Sequence, residues 1–295
     1  MFSETRPTRS VLYIPGSKTR ALDKARSLAT DAIIFDLEDA VAPKEKISAR
    51  ETLVAALTTG GYGDRVLIVR LNGADTEWGV GDLEAIMEAG PQAVLLPKVE
   101  TVDTVAAVAA KLDAHPGCAN TQIWAMMETA AGILNAAAIA RAPRMAGFVM
   151  GTNDLAKELN SRFRADRLPM QWALQMCLLA ARAAGIVCID GVYNAFKDND
   201  GLQVECDQGR DLGMDGKTLI HPAQLAIANT AFAPLPAEID LAQRQIAAFN
   251  DAKAKGEGVA VVDGKIVENL HIVTANATLV KAQAIAALEA ALEAT

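Results

Sequence analysis

The chain has 295 residues, 51% of them hydrophobic, with 28 basic against 36 acidic side chains and a formal charge of −8. That is ample for one large core, while the acidic balance excludes nucleic acid as a partner and no apolar run nears the roughly 18 residues that span a bilayer. Met1–Pro7 lacks the apolar segment of a signal peptide, and Cys118, Cys177, Cys188 and Cys206 lack zinc spacing, so a cytoplasmic location with the thiols in the core is expected.

Short apolar runs rich in β-branched residues recur at Ser10–Pro15, Ala32–Leu37, Val66–Leu71, Ala93–Pro97, Gln122–Met127, Gly147–Met150, Val187–Asp190 and Lys217–Ile220. Helical stretches lie between most of them, at Leu22–Ala29, Ile47–Leu57, Val102–Leu112, Ala131–Ala140, Met170–Ala184 and Leu202–Leu212. Runs apolar on both faces that alternate with helices predict a parallel sheet covered by helices. Eight such units in roughly 230 residues predict an α/β fold of the (β/α)8 TIM-barrel type. A doubly wound sheet usually opens with G-x-G-x-x-G, and none follows the first run.

The chemistry of a barrel sits at the carboxyl ends of its strands. Here those ends carry Pro15-Gly16-Ser17-Lys18, Asp36-Leu37-Glu38-Asp39, Arg70-Leu71-Asn72, Pro97-Lys98-Val99-Glu100, Glu128, Asp154, Asp190-Gly191-Val192-Tyr193 and His221-Pro222. A single such Asp or Asn is as readily a helix cap. Polar groups converging from all eight ends are not so explained. Glu128 and Asp154 follow successive predicted strands, where two carboxylates can share one hard cation. Mg²⁺ takes one or two carboxylates and leaves its other positions to water or substrate.

Beyond the barrel, Ala223–Phe232 is expected to close the ring, and Pro234-Leu235-Pro236 punctuates the chain. The domains are therefore expected to be 1–233, the barrel, and 234–295, a C-terminal extension. The extension reads as a helix over Ala237–Lys255, a short strand Val259–Val262, the turn Asp263-Gly264-Lys265, and an Ala-rich helix from about Thr274 to Ala294. Its expected use is to pack on a neighbouring subunit as a lid over that neighbour's active site.

Several of these segments carry a family resemblance: Arg9-Ser10-Val11-Leu12-Tyr13-Ile14-Pro15-Gly16, Asp36-Leu37-Glu38-Asp39-Ala40-Val41, Val69-Arg70-Leu71-Asn72, Leu96-Pro97-Lys98-Val99-Glu100, Glu128-Thr129 and Gly151-Thr152-Asn153-Asp154-Leu155. In that order they resemble the citrate lyase β-subunit-like group of the HpcH/HpaI aldolase superfamily, from about Arg9 to the final helix. The resemblance implies an enzyme that binds Mg²⁺, with Mn²⁺ as a substitute, acts on small hydroxyacyl-CoA thioesters, and assembles as trimers or hexamers. It implies Glu128 and Asp154 as metal ligands, with Glu38 and Asp39 behind them. Arg70 matches the arginine that holds the substrate carboxylate, which a planar guanidinium suits. Tyr13, Lys18, Arg20 and Lys24 match positions that cradle CoA. Ile220 and His221 fall at the substrate-facing end of the last strand, His221 as a lining or structural residue.

The tail departs from the carbon–carbon lyases of that group. They carry an Asp in a segment resembling D-G-K-M-I-D, where this chain has Asp263-Gly264-Lys265-Ile266-Val267-Glu268. The resemblance makes Glu268 the catalytic acid or base, contributed from a neighbour's tail. A carboxylate moved by about 1 Å can cost roughly 10²-fold in a geometry-limited step. The stretch from Val262 to His271 is most similar to the branch that hydrolyses (3S)-malyl-CoA to malate and CoA. The alternatives are C–C cleavage of malyl-, methylmalyl- or citramalyl-CoA and, further away, action on a carrier-bound citryl thioester.

Overall fold

The computed structural model of the chain describes residues 6–293. Its strands are β1 (Ser10–Pro15), β2 (Ala32–Asp36), β3 (Val66–Arg70), β4 (Ala93–Leu96), β5 (Gln122–Met127), β6 (Met145–Met150), β7 (Val187–Asp190) and β8 (Gly216–Leu219). Ala32-Ile33-Ile34-Phe35-Asp36 is buried at every position, as a strand covered on both faces must be. The eight are parallel and close into a barrel in chain order, β1 pairing with β8. The expected (β/α)8 architecture is what the chain adopts.

Around the strands run α1 (Thr19–Ala25), α2 (Lys46–Thr59), α3 (Gly79–Ala89), α4 (Val102–Ala114), α5 (Ala130–Leu134), α6 (Ala136–Ile139), α7 (Thr152–Glu158), α8 (Leu168–Ala184), α9 (Asn199–Leu212) and α10 (Leu225–Ala231). Two were not expected: α3, whose Gly-Val-Gly start weakens a helical pattern, and α7, too short to show a period. The stretch expected as one helix over Ala131–Ala140 is two, broken at Asn135, whose Nδ2 donates to Glu100 O at 2.8 Å. β6 begins two residues earlier than expected, and its register with β5 shifts between Ile123 and Trp124. Gly147 is what permits this, since a Cβ there would lie 2.7 Å from the Trp124 ring.

Register fixes the height of the site. Pro15 pairs with Asp36, Asp36 with Arg70, and Met127 with Met150. Asp36 and Arg70 are therefore neighbours at one end of the barrel, and Glu128 and Gly151 each follow the last residue of adjacent strands. One core of aliphatic and aromatic side chains, including Leu12, Phe35, Leu53, Phe148 and Phe232, fills the space within and outside the ring.

Contacts divide the chain after Phe232. The second unit holds α11 (Pro236–Ala254), a hairpin of β9 (Ala260–Val262) and β10 (Lys265–Val267), and α12 (Asn269–Glu293). Asp263 and Gly264 both have positive φ, 53° and 73°, the two-residue turn that matches strand twist and favours Asp-Gly. Ala252, Ala260, Val262 and Val267 form its small core, and Arg244 bridges Asp240 and Asp263. α12 starts five residues before the expected Thr274, because His271 Nδ1 accepts from Glu268 N at 3.0 Å and caps an earlier first turn. The expected end at Ala294 lies outside the described residues.

Candidate active site

A cavity of about 320 Å³ opens at the carboxyl ends of the barrel strands. Tyr13, Asp39, Arg70, Glu128, Asp154 and Ile220 line it, six of the residues singled out from the sequence. Asp36, Asn153 and Val192, which stand within the strand-end motifs without an assigned role, line it too, as does Asn194.

Asp36 organises the arginine. Its buried carboxylate accepts from Arg70 Nε at 2.7 Å and Nη2 at 2.5 Å, and from the backbone N–H groups of Glu38 at 2.8 Å and Ala40 at 3.0 Å. One bidentate edge of the guanidinium is thus already occupied. Nη1 faces outward, 3.1 Å from Asp39 Oδ2 and 2.8 Å from Glu38 Oε2, the latter without hydrogen-bond alignment. Asp39, with a side chain 68% exposed, is the acid free to swing aside. Arg70 also lies over the Tyr13 ring, 5.1 Å from its centroid. Burial raises the Tyr13 phenol above its ordinary range, so it stays neutral.

Glu128 is 3% exposed. Its Oε1 accepts from Lys98 N at 2.8 Å, and Lys98 holds the left-handed region, φ 48°, to aim that N–H. Such strain in a non-glycine residue persists where the surroundings enforce it. Gly151 follows β6 where a Cβ would lie 2.7 Å from Glu128 Oε2. Asp154 stands in the first turn of α7, where a carboxylate suits the helix dipole. Burial, then repulsion from Glu38 and Asp154, push the Glu128 carboxyl up to about 8, against the Lys98 hydrogen bond and Arg70. Burial likewise raises Glu38 to about 7, with Asp39 and Asp36 adding and Arg70 opposing.

Acids crowded until they retain protons are what a divalent cation would relieve, so these residues fit a hard metal ion. Among the described residues no three His, Cys, Asp or Glu side chains converge into a complete ligand set. Glu128 and Asp154 would therefore hold such an ion as a pair, leaving its other positions open for water and ligand.

The remaining sequence-singled residues lie off the cavity. Glu38 stands between Arg70 Nη1, at 2.8 Å, and Lys98 Nζ, at 4.0 Å. Lys18, Arg20 and Lys24 are exposed along α1, Lys18 at its N-cap and 3.5 Å from Glu45, Lys24 in its last turn. His221 Nδ1 accepts from Ala223 N at 3.1 Å and its ring stacks on Phe196 at 4.6 Å. Gln224 holds that strand end, accepting from Ile220 N and His221 N and donating to Tyr193 O. Glu268 is exposed at the end of β10 in the C-terminal unit. The partners that give Asp36 and Gln224 their place in the site, Arg70 and Tyr193, are remote in sequence. The sequence signal for Asp36 is its position in Asp36-Leu37-Glu38-Asp39 at the end of β2.

Fold and cavity together define a barrel enzyme for an anionic ligand, with the acids for a divalent cation. The HpcH/HpaI aldolase/citrate lyase family matches residues 9–222, and the chain belongs to that family. It is 65% identical over 290 residues, 98% of its own length and all of the relative's, to a (3S)-malyl-CoA thioesterase of Cereibacter sphaeroides (strain KD131). To the citrate lyase subunit beta of Escherichia coli (strain K12) it is 35% identical, covering 95% of each chain. Among solved structures, CitE from Mycobacterium tuberculosis in complex with magnesium, acetoacetate and coenzyme A superposes with TM-score 0.79 at 29% identity, over 95% of this chain and 99% of that one.

Proposed function

We propose that this chain is a Mg²⁺-dependent thioesterase that hydrolyses (3S)-malyl-CoA to (S)-malate and CoA. The observation that carries the reading is the cavity where Arg70 faces the Glu128–Asp154 pair. Near full-length identity to a malyl-CoA thioesterase favours hydrolysis over C–C cleavage.

In this reading the outer edge of Arg70 takes the malyl carboxylate, and Asp36 holds the guanidinium so that little freedom is lost on binding. Glu128 and Asp154 would hold Mg²⁺, which supplies Lewis-acid polarisation of the oxygens it meets. Tyr13 keeps its proton and offers an O–H on the same wall. Lys18, Arg20 and Lys24 supply three cations for the CoA phosphates. Glu268 comes from a neighbouring subunit and takes the proton from the water that attacks the thioester carbonyl, a role worth typically 10²–10⁴-fold. We further propose a cytoplasmic homotrimer or homohexamer; no described helix is long and apolar enough to cross a membrane.

The second reading is C–C cleavage to glyoxylate and acetyl-CoA, which the 35% identity to citrate lyase subunit beta supports. One assay separates the two. Purified protein with (3S)-malyl-CoA and Mg²⁺ is followed for free thiol and glyoxylate in the same tube. Thiol without glyoxylate is the expected result, and glyoxylate without thiol overturns it.

A further inference from the structure

Beside the catalytic cavity lies a second one of about 540 Å³. The two share Thr152, Asn153, Val192 and Asn194. What stands between them is a reciprocal amide pair. Asn194 Nδ2 donates to Asn153 Oδ1 at 2.8 Å, and Asn153 Nδ2 donates to Asn194 Oδ1 at 3.3 Å. The pair ties the first turn of α7 to the loop after β7, and Asn153 immediately precedes Asp154. Thr152 backs it, packed so closely on Gly191 that a Cβ there would lie 2.5 Å from its Oγ1.

The space behind this partition is walled by Phe163, Met170, Tyr193 and Val204. Three of its five charged groups are paired with residues outside the lining: Arg164 with Asp166, Arg167 with Asp190, and Glu205 with Lys217. Arg162 and Asp200 are opposite in sign and exposed. Such a cavity selects no charge. It fits an uncharged apolar branch, and its volume is within the range of small-molecule sites.

We propose that Asn153 and Asn194 are specificity-determining residues of the acyl site: their paired amides close the catalytic cavity against the second one, and so confine the substrate to short acyl groups. This rests on the thioester-hydrolase reading above. An alkyl branch on the acyl chain has to part this pair, which stands exposed where the two cavities meet, before it can enter the second one. Removing the pair opens a ready-made apolar pocket to that branch.

The experiment compares kcat/KM for thiol release from (3S)-malyl-CoA with that from analogues bearing a methyl, propyl or benzyl branch beside the thioester. The Asn153→Ala/Asn194→Ala double variant is expected to raise the benzyl-to-unbranched ratio by at least about tenfold, the scale on which apolar pockets discriminate. Adding Val204→Trp, which fills only the second cavity, is expected to return the ratio to the wild-type value. A wild-type protein that already prefers the benzyl ester, an unmoved ratio in the double variant, or a gain that survives Val204→Trp would each overturn the proposal. Because Asn153 adjoins Asp154, the same ratio is also read as Kd, by calorimetry with Mg²⁺, for benzylmalate against malate. Absence of that binding gain overturns the partition, whereas absence of thiol release by the wild-type protein overturns the thioesterase reading alone.

Discussion

Arg70 is held before any ligand arrives. Four hydrogen bonds converge on Asp36, two of them from the guanidinium, so neutralising Asp36 does more than remove one charge. Breaking one side of a buried ion pair typically costs about 3–5 kcal/mol. Asp36→Asn keeps the shape and two acceptor contacts, and is expected to lose stability towards the low end of that range while raising KM more than it lowers kcat. Urea unfolding and steady-state kinetics check this; an unchanged KM would remove Asp36 as the residue that positions Arg70. The acids opposite make a pH prediction. Glu128 and Glu38 lie near 8 and 7 in the fold, against an ordinary 4.5. A carboxyl raised by folding contributes stability that is full below its unfolded value and is lost as pH rises through the folded one. The metal-free protein is therefore expected to lose Tm between about pH 5 and 8 through these two groups, and Glu128→Gln/Glu38→Gln to flatten the decline. Mg²⁺ must displace the retained proton, so its stabilisation is expected to be larger at pH 8.5 than at pH 6. Equal Mg²⁺-induced Tm shifts at both pH values would detach the cation from these carboxylates.

At the scale of elements, most strands were legible because they are largely buried on both faces and read as apolar runs; β8, Gly216–Leu219, carries Lys217 and Thr218 in its interior. All eight fall within two residues of their expected bounds. The helices were less so. α7 is seven residues long, too short for a period, yet it carries Asp154. The candidate site divides along the same physical line. Glu128, Asp154 and Arg70 stand directly at strand ends, where sequence position alone indicates the cavity. Asp36, Gln224 and Lys46 each have one decisive partner brought near by the closed ring: Arg70 for Asp36, Tyr193 for Gln224 and Asn72 for Lys46. The β7–β8 edge shows the same dependence. Lys217 Nζ, fully buried, reaches Asp190 at 3.0 Å, Gly191 O at 2.6 Å and Glu205 at 2.6 Å, while Arg167 grips Asp190 from the other side. Burial works to raise the Asp190 carboxyl, but Lys217 and Arg167 outweigh it and hold it below its ordinary value. Lys217→Met removes one of the two cations and leaves Glu205 facing the remaining charges, so a loss of about 3–5 kcal/mol is expected. The loss should appear as an earlier chemical-denaturation midpoint. A stability within 1 kcal/mol of wild type, on the order of a surface change, would mean that the network is replaceable by packing.

At the scale of the whole molecule, the C-terminal unit presents Val259, Val261, Ile266, Leu270 and Val273 to solvent, each at least 47% exposed. Contiguous apolar exposure of this kind marks an interaction surface, and in a homo-oligomer its partner is another copy of the chain. Glu268 lies between Ile266 and Leu270, so whatever covers those side chains also receives this carboxylate. The proposed role of Glu268 can therefore be tested through assembly. Arg70→Ala and Glu268→Ala are each expected to be nearly inactive alone. If Glu268 serves a neighbour's cavity, co-expressing the two variants restores activity, because a Glu268→Ala barrel with intact Arg70 can receive the tail of an Arg70→Ala subunit. Random assembly of equal amounts into a head-to-tail ring makes about a quarter of the sites complete, so roughly a quarter of wild-type kcat per subunit is expected. If Glu268 instead serves its own barrel, no combination completes a site and the mixture stays as inactive as its parts. Sedimentation of the same mixture distinguishes failed assembly from failed complementation. An intact oligomer without recovered activity would remove Glu268 from the neighbour's site.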